Sequence, residues 1–221
     1  QKFSKFEKCT IFSPRDATIT RLKKEVLNKK KYKCSLKTLP YPYFYLQKLN
    51  KQKFIVSKYR NKTYILSISN IRSNKGINLY LEIVRKCPDE NFIYVGNLKK
   101  HKNFQETPNI KIIEEINDLD LFHLMLYCSA FLSTSTCEGL CIPVCRANAL
   151  SIPTACLNLD IYQSDEFKSL HFIKVNNLDP TIKWLKSNTK SFREIKYPTK
   201  SDLDKLDKEK TSALKNIIKD L

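Results

Sequence analysis

The chain has 221 residues, of which 42% are hydrophobic and 28% charged, a balance typical of a globular protein that excludes general disorder. Its 40 Lys and Arg residues against 22 Asp and Glu give a net charge of +18, which favours anionic partners such as phosphorylated metabolites, acidic membrane surfaces or nucleic acid. No apolar run approaches the ~20 residues that a membrane-spanning helix needs, and residues 1–30 lack the apolar core of a signal peptide.

The first 50 residues differ in pattern from the rest of the chain. A β-rich run at residues 9–13 predicts a strand, and the basic segment 16–27 has helical spacing. The aromatic segment 39–45 contains two prolines, which argue against a central strand and favour an extended linker.

From about residue 62 onward, strand-like and helix-like blocks alternate. Short β-rich runs predict strands at 64–68, 92–95, 110–113, 130–133, 154–157 and 171–175. Helical spacing predicts helices near 77–87, 119–127, 143–150 and 181–187. This alternation predicts an α/β, Rossmann-like fold with a mainly parallel sheet, helices on both faces and ligands at the carboxyl ends of the strands. Beyond it, residues 191–221 are highly charged but carry an apolar stripe, which predicts an amphipathic C-terminal helix.

Three predicted loops come after strands at the carboxyl edge of the sheet, and each contains one of the three glycines. The first brings Arg72 and Lys75 to Gly76 at the start of a helix, where free backbone N–H groups and the helix dipole favour an anion. The second is the strand end at Gly96 and Asn97. The first loop is equally consistent with an exposed basic segment that binds nothing.

The third loop begins at residue 133 and carries a carboxylate just before a predicted helix. Glu138 can accept hydrogen bonds from sugar hydroxyls there, while backbone N–H groups near Gly139 hold a phosphate. The competing interpretation is a glutamate that only caps the helix.

These motifs resemble the C-terminal, nucleotide-sugar-binding domain of retaining glycosyltransferases with two Rossmann domains, the GT-B type, and are closest to family 4, also called group 1. The matching pairs are Lys75-Gly76, Val95-Gly96 and Glu138-Gly139, and the third block stays in register through Pro143, Ala147, Ala149 and Pro153. The resemblance covers residues 62–187. Residues 9–45 are similar to the last β/α unit of the partner N-terminal domain and its interdomain linker.

The resemblance implies a role for each matching position. Lys75 would neutralise the donor diphosphate, Glu138 would contact the transferred sugar, and Gly139 and Leu140 would offer backbone N–H groups. The other donor-binding candidates are Arg72, Gly76, Gly96, Asn97 and Arg146. Four positions depart from the family pattern: Arg146 stands where a ribose-binding glutamate is expected, Asn70 stands where an arginine is expected, and Cys141 and Ser151 replace glycines. Arg72, two residues after Asn70, is the candidate substitute for that arginine.

No metal or cofactor is expected. None of the eight cysteines forms a C-x-x-C pair, so the signatures of zinc ribbons and thioredoxin-like sites are missing, and we expect reduced, mostly buried thiols. The resemblance likewise implies transfer without an obligatory metal, because cations of the protein and a helix N-terminus can stabilise the departing nucleoside diphosphate.

The predicted organisation has three parts: residues 1–50 as the remnant of an N-terminal domain with its linker, residues 51–190 as a donor-binding domain, and residues 191–221 as a charged helix. We expect retaining sugar transfer to a glycan, glycolipid or glycoprotein acceptor, in polysaccharide assembly for example. The expected partners are a nucleotide sugar, a separate or missing N-terminal GT-B domain and an anionic membrane. The expected location is cytoplasmic, peripheral on the inner face of a membrane.

Two alternatives stay open. The first is a catalytically inactive binding or scaffold relative, in which Arg146 records loss of the ribose contact. The second, less favoured, is a nucleic-acid binder, which the charge permits but for which no motif pairs aromatic with basic residues.

Overall fold

The computed structural model describes residues 9–13, 34–38, 59 and 62–190. Its elements fall into two compact units, the first of which contains β1 (Cys9–Ser13) and β2 (Cys34–Thr38). These strands pair in parallel, with Cys9 opposite Cys34 and Ser13 opposite Thr38. The predicted strand at 9–13 is confirmed, whereas β2 was not predicted. The helix, linker and C-terminal helix predicted at 16–27, 39–45 and 191–221 lie outside the described residues.

The second unit contains all the later elements. Its strands are β3 (Ile65–Ile68), β4 (Phe92–Val95), β5 (Ile110–Ile113), β6 (Ala130–Ser133), β7 (Thr154–Leu157) and β8 (His171–Ile173). Its helices are α1 (Ile77–Lys86), α2 (Asp118–Tyr127), α3 (Ile142–Ala149) and α4 (Asp179–Thr189). All six strands and all four helices predicted after residue 62 are therefore present, with ends that differ by two residues or fewer.

The six strands form one parallel sheet in the order β5-β4-β3-β6-β7-β8. Strands β4 and β5 follow β3 on one side of the sheet, and β7 and β8 follow β6 on the other side. The strand order therefore reverses between β3 and β6, which makes this position a topological switch point. The β3–β6 register pairs Ile65 with Ala130 and Leu66 with Phe131, and goes no further. The carboxyl ends of β3 and β6 are thus free to open a crevice.

Helices cover both faces of the sheet. On one face, α1 and α4 pack in a common apolar core with alternate strand residues such as Ile65. Leu66, which is equally buried, points to the opposite face because successive side chains of a strand alternate. There, α3 packs on β6 and β7, and the Tyr64 hydroxyl donates a 2.8 Å hydrogen bond to the Leu124 carbonyl of α2. The predicted α/β, Rossmann-like fold is confirmed.

The helix ends reflect local sequence chemistry. Asn117 caps α2, since its side-chain oxygen accepts a 2.8 Å hydrogen bond from the Asp120 N–H. Helix α3 starts at Ile142 with Pro143 in its first turn, where the missing N–H costs no helical hydrogen bond. Within the described ranges, no helix has both the length and the apolar character needed to cross a membrane.

Candidate functional site

The loop between β3 and α1 and the loop between β6 and α3 meet at the switch point. The Thr136 N–H donates a 2.8 Å hydrogen bond to the Asn74 carbonyl, and the Asn74 side chain donates a 2.8 Å bond to the Cys137 carbonyl. The Thr134 hydroxyl also donates to the Lys75 carbonyl at 3.1 Å. These bonds join segments about 60 residues apart in sequence into one polar rim.

Two of the three glycines lie where one backbone segment closely approaches another. Gly76 has φ +59°, and a Cβ there would lie 2.0 Å from the Thr134 carbonyl oxygen. Gly96 has φ +135°, and a Cβ there would lie 2.0 Å from the Ser69 carbonyl oxygen. Gly139 differs, because a Cβ at this exposed position would meet nothing within 4 Å. Space beside Gly139 is therefore open, whereas Gly76 and Gly96 serve the fold.

An ion pair crosses the rim. Lys75 Nζ donates to Glu138 Oε1, and the two side chains are only 21% and 13% exposed. Ser135 supports this carboxylate, since its hydroxyl lies 2.5 Å from Glu138 Oε1 and 3.1 Å from the Asn74 carbonyl oxygen. The two residues predicted to bind the charged and the sugar parts of a donor thus lie in contact.

A cavity of about 360 Å³ opens beside this pair, which is within the usual size range of small-molecule sites. Of the predicted site residues, Lys75, Glu138 and Leu140 line it, and Lys75 and Glu138 are the two charged side chains in its lining. Serine and threonine residues from the ends of β3 and β6 supply most of its polar wall. The cavity is thus suited to an anion at one point and hydroxyl groups elsewhere.

Sequence reasoning missed two tyrosines in the wall of this cavity. Tyr80 of α1 and Tyr94 of β4 are each 1% exposed, and their ring centroids lie 5.1 Å apart. Their hydroxyls lie beside Ser67 and Ser69 without completing a hydrogen bond of good geometry in the described part of the chain. Burial raises the pKa of Tyr94 to about 12, and burial together with Tyr94 raises the pKa of Tyr80 further, so both stay neutral.

The two positions where glycines were expected keep a left-handed backbone. Cys141 has φ 48° and Ser151 has φ 53°, although neither is glycine. Cys141 is the N-cap residue of α3 and makes no side-chain capping bond, and its thiol lines the cavity, where burial raises its pKa. The backbone of the loop therefore accommodates the side chain at a cost in strain of about 1–2 kcal/mol per position.

The other predicted residues lie nearby but outside the cavity wall. Arg72 is exposed at the start of a short 3₁₀ turn, and Asn97 is partly buried after Gly96. Arg146 lies partly buried in the last turn of α3. None of the three lines the cavity, so a contact between them and a donor stays a prediction.

Two of the three histidines of the second unit, His123 and His171, have structural surroundings. His123 is buried in α2 beside Phe122 and Tyr127, and burial lowers its pKa. The His171 ring stacks on Trp184 with centroids 4.8 Å apart. In the ranges that the structure describes, no three His, Cys, Asp or Glu side chains are grouped so as to hold a metal ion.

The strand order and the polar crevice define a doubly wound α/β domain with a crevice at its switch point, which is where open α/β sheets generally bind ligands. Residues 49–189, well over half of the chain, match the family model described as glycosyl transferases group 1. The chain belongs to this family, and the predicted resemblance to it is confirmed. None of the curated proteins compared with the sequence matched it.

Solved structures with the same fold include glycosyltransferases. WaaG, a glycosyltransferase involved in lipopolysaccharide biosynthesis, superposes with a TM-score of 0.60 at 15% identity over 92% of this chain and 58% of WaaG. TarM gives 0.56 at 16% identity over 95% of this chain and 40% of TarM. The pneumococcal O-GlcNAc transferase GtfA, in complex with UDP and GlcNAc, gives a TM-score of 0.54 at 15% identity over 93% of this chain and 45% of GtfA. The chain therefore spans about half the length of these proteins, whose likeness concerns the fold.

Proposed function

We propose that the second unit binds a nucleotide sugar at the switch point and forms the donor half of a retaining glycosyltransferase. The observation that supports this best is the meeting of Lys75 and Glu138, 63 residues apart in sequence, beside one cavity between β3 and β6. A cation and a hydrogen-bond acceptor side by side match a ligand whose diphosphate is joined directly to a sugar. Membership of the glycosyl transferases group 1 family points the same way.

In this proposal each group acts on a different part of the donor. Lys75 and the N-terminus of α3 stabilise the diphosphate, whose negative charge grows as its bond to the anomeric carbon breaks. Glu138 accepts hydrogen bonds from sugar hydroxyls, while the open backbone at Gly139 lets the sugar approach closely. The acceptor oxygen forms the new bond on the same face, and its proton passes to the departing diphosphate. We propose that these groups of the chain, rather than an obligatory metal, carry the charge.

The acceptor side belongs to a second half. The neighbouring structures are about twice as long as the matched part, so we propose that an N-terminal GT-B domain, on this or another polypeptide, completes the enzyme. Acceptors of the glycan, glycolipid or glycoprotein type fit this proposal, with polysaccharide assembly as one setting.

An anionic membrane is the proposed surface on which this domain works in the cytoplasm. Lys99, Lys100 and Lys102 are exposed after β4, on the edge of the sheet that also carries the cavity. Lysines near an anionic bilayer contribute roughly 1 kcal/mol each. Co-sedimentation with vesicles that contain 30% phosphatidylserine should show binding that the triple change of these lysines to Gln weakens. Equal binding by the triple variant would contradict the membrane proposal.

A non-catalytic donor-binding protein is the second candidate, because Arg146 stands where the family pattern has a glutamate. Both candidates predict that the donor binds, and they differ in whether the bound donor is then hydrolysed or its sugar transferred. Slow hydrolysis of a bound nucleotide sugar, lost in Glu138→Ala, would support the enzyme. Binding without any hydrolysis or transfer, also after addition of the N-terminal half, would support the binding protein.

Calorimetry on the full chain tests the donor site. UDP, GDP, ADP and dTDP and their glucose conjugates form the probe panel. We expect saturable binding of at least one pair, and a loss of about 10- to 100-fold in Lys75→Ala, since a charge-assisted hydrogen bond contributes roughly 1.5–3 kcal/mol. Lys86→Ala is the matched control, because Lys86 is an exposed lysine at the far end of the helix that begins after Lys75. No saturable binding by any probe would refute the proposal.

A further inference from the structure

The two charged residues that line the cavity are already paired with each other. Lys75 and Glu138, which we call the charge pair, are in direct contact and mostly buried. A phosphate can bind Lys75 fully only if the carboxylate gives up part of this contact. Binding of any anion is therefore an exchange of partners, and its free energy depends on what Glu138 finds in return.

Glu138 is held so that it cannot simply swing away. Ser135 contacts its carboxylate at 2.5 Å and also lies 3.1 Å from the Asn74 carbonyl oxygen. Asn74 in turn donates a hydrogen bond to the Cys137 carbonyl at 2.8 Å, one residue before Glu138. The loop that carries the carboxylate is thus tied on both sides to the loop that carries Lys75. When Lys75 turns to a phosphate, Glu138 stays close to that phosphate.

Among the described residues, the cavity offers Glu138 no second cation. Apart from Lys75, the side chains that line it are uncharged, and Arg72 and Arg146 are not among them. A bare nucleoside diphosphate would therefore leave a mostly buried carboxylate without its cation and beside a like charge, which is costly. An intact nucleotide sugar compensates for this loss, because its sugar hydroxyls donate hydrogen bonds to Glu138 while its diphosphate binds Lys75.

We propose that the charge pair selects for ligands that present an anion and a hydroxyl-bearing group together, so that Glu138 biases the site against the bare nucleoside diphosphate. This inference rests on the proposed function and deepens it. Glu138 is then a specificity-determining residue as well as a sugar contact. Once the sugar has left, the restored Lys75–Glu138 contact competes with the remaining diphosphate and favours its release.

The test is the ratio of two dissociation constants, measured by calorimetry on the full chain. The probes are the nucleoside diphosphate that binds in the panel and its glucose conjugate. In Glu138→Gln, which keeps the size of the side chain and removes its charge, the diphosphate should bind at least about fivefold tighter, the change expected for ~1 kcal/mol. The glucose conjugate should gain less than about twofold, because its sugar loses a charged acceptor.

The matched control is Glu82→Gln, an exposed glutamate of α1 whose change removes the same net charge. Glu82→Gln should leave both dissociation constants within about twofold of those of the unmodified protein. This result would separate the local effect of Glu138 from the effect of the protein's net charge. Ser135→Ala, which frees the Glu138 side chain without removing its charge, should move the ratio in the same direction by a smaller amount. Equal thermal unfolding curves establish that the variants are folded.

The outcomes separate this inference from the proposed function. If both probes bind the unmodified protein but their ratio is the same in Glu138→Gln, or shifts toward the conjugate, the selection mechanism is wrong while donor binding stands. If neither probe of any pair binds, the proposed function fails and takes this inference with it. A shift of the ratio toward the diphosphate in Glu138→Gln alone and not in Glu82→Gln supports the mechanism.

Discussion

The contrast between Gly76 and Gly139 gives the sharpest test of the loop geometry. Both are glycines in site loops, but Gly76 has φ +59° and a Cβ there would lie 2.0 Å from the Thr134 carbonyl oxygen. That oxygen belongs to the backbone, so it cannot move without moving the loop that leads to Glu138. Gly76→Ala must therefore either strain α1 or push the two loops apart.

The expected cost combines three effects. A left-handed backbone in alanine costs about 1–2 kcal/mol, and relief of the overlap by displacement of packed segments costs about 1–3 kcal/mol. The reduced freedom of the unfolded chain returns about 0.4–1 kcal/mol. We therefore expect Gly76→Ala to lower the free energy of unfolding by about 1–5 kcal/mol, and the melting temperature by roughly 2–20 °C for a domain of this size.

Urea denaturation and thermal unfolding measure this effect, with Gly139→Ala as the matched control. A Cβ at Gly139 meets nothing within 4 Å, so its alanine variant should stay within about 0.5 kcal/mol of the unmodified protein. In the folded fraction, Gly76→Ala should also bind a nucleoside diphosphate more weakly, because Lys75 directly precedes the displaced residue. Unchanged stability of Gly76→Ala, or an equal loss in Gly139→Ala, would refute the assignment of close approach to Gly76.

Four further substitutions test other parts of the structure. Tyr80→Phe and Tyr94→Phe should leave the free energy of unfolding unchanged or raise it by up to about 1 kcal/mol in urea titrations. Each change removes a buried hydroxyl that has no good hydrogen bond among the described residues. A loss of stability above about 1 kcal/mol would show that the hydroxyl does have a hydrogen-bond partner. Ser151→Gly should raise the free energy of unfolding by about 0.5–1 kcal/mol, because glycine adopts φ 53° without strain. A lower free energy of unfolding in this variant would contradict the inference that the backbone is strained at Ser151. Burial lowers the pKa of His123 and His171, so the unfolded chain binds more protons below pH ~6.5 and stability should fall as pH drops from 7 to 5. His123→Gln should flatten that slope, and an unchanged slope would exclude His123 as its source.

The second unit could be predicted from sequence because its local signals agree with its fold. Runs such as 92–95 and 130–133 are short and mostly apolar, and they form largely buried strands with the predicted bounds. Strand β2 at Cys34–Thr38 was missed because its sequence, CSLKT, contains a lysine and a single large apolar residue. Its parallel pairing with β1, rather than its composition, defines it as a strand.

Parts of the candidate site could be inferred from sequence and parts could not. The parallel sheet predicted that the loops bearing Lys75 and Glu138 would meet at one edge, and they do. That these side chains bind each other depends on loop register, which Asn74 sets through hydrogen bonds that no spacing rule encodes. Tyr80 looked like an ordinary apolar position of a helix, and its place in the cavity wall depends on Tyr94 from a neighbouring strand.

The distribution of glycines separates what the fold needs from what the proposed chemistry needs. Gly76 and Gly96 cannot carry a Cβ without a backbone collision, so they would be required even in a relative that binds nothing. Cys141 keeps the left-handed conformation where the family pattern has glycine, so the α3 loop has its shape without that residue. Gly139 has no such structural reason, since its conformation and its surroundings both accept a side chain. In the proposed function a nucleotide sugar comes close to the exposed backbone at Gly139, so we expect Gly139→Ala to preserve folding and to weaken nucleotide-sugar binding.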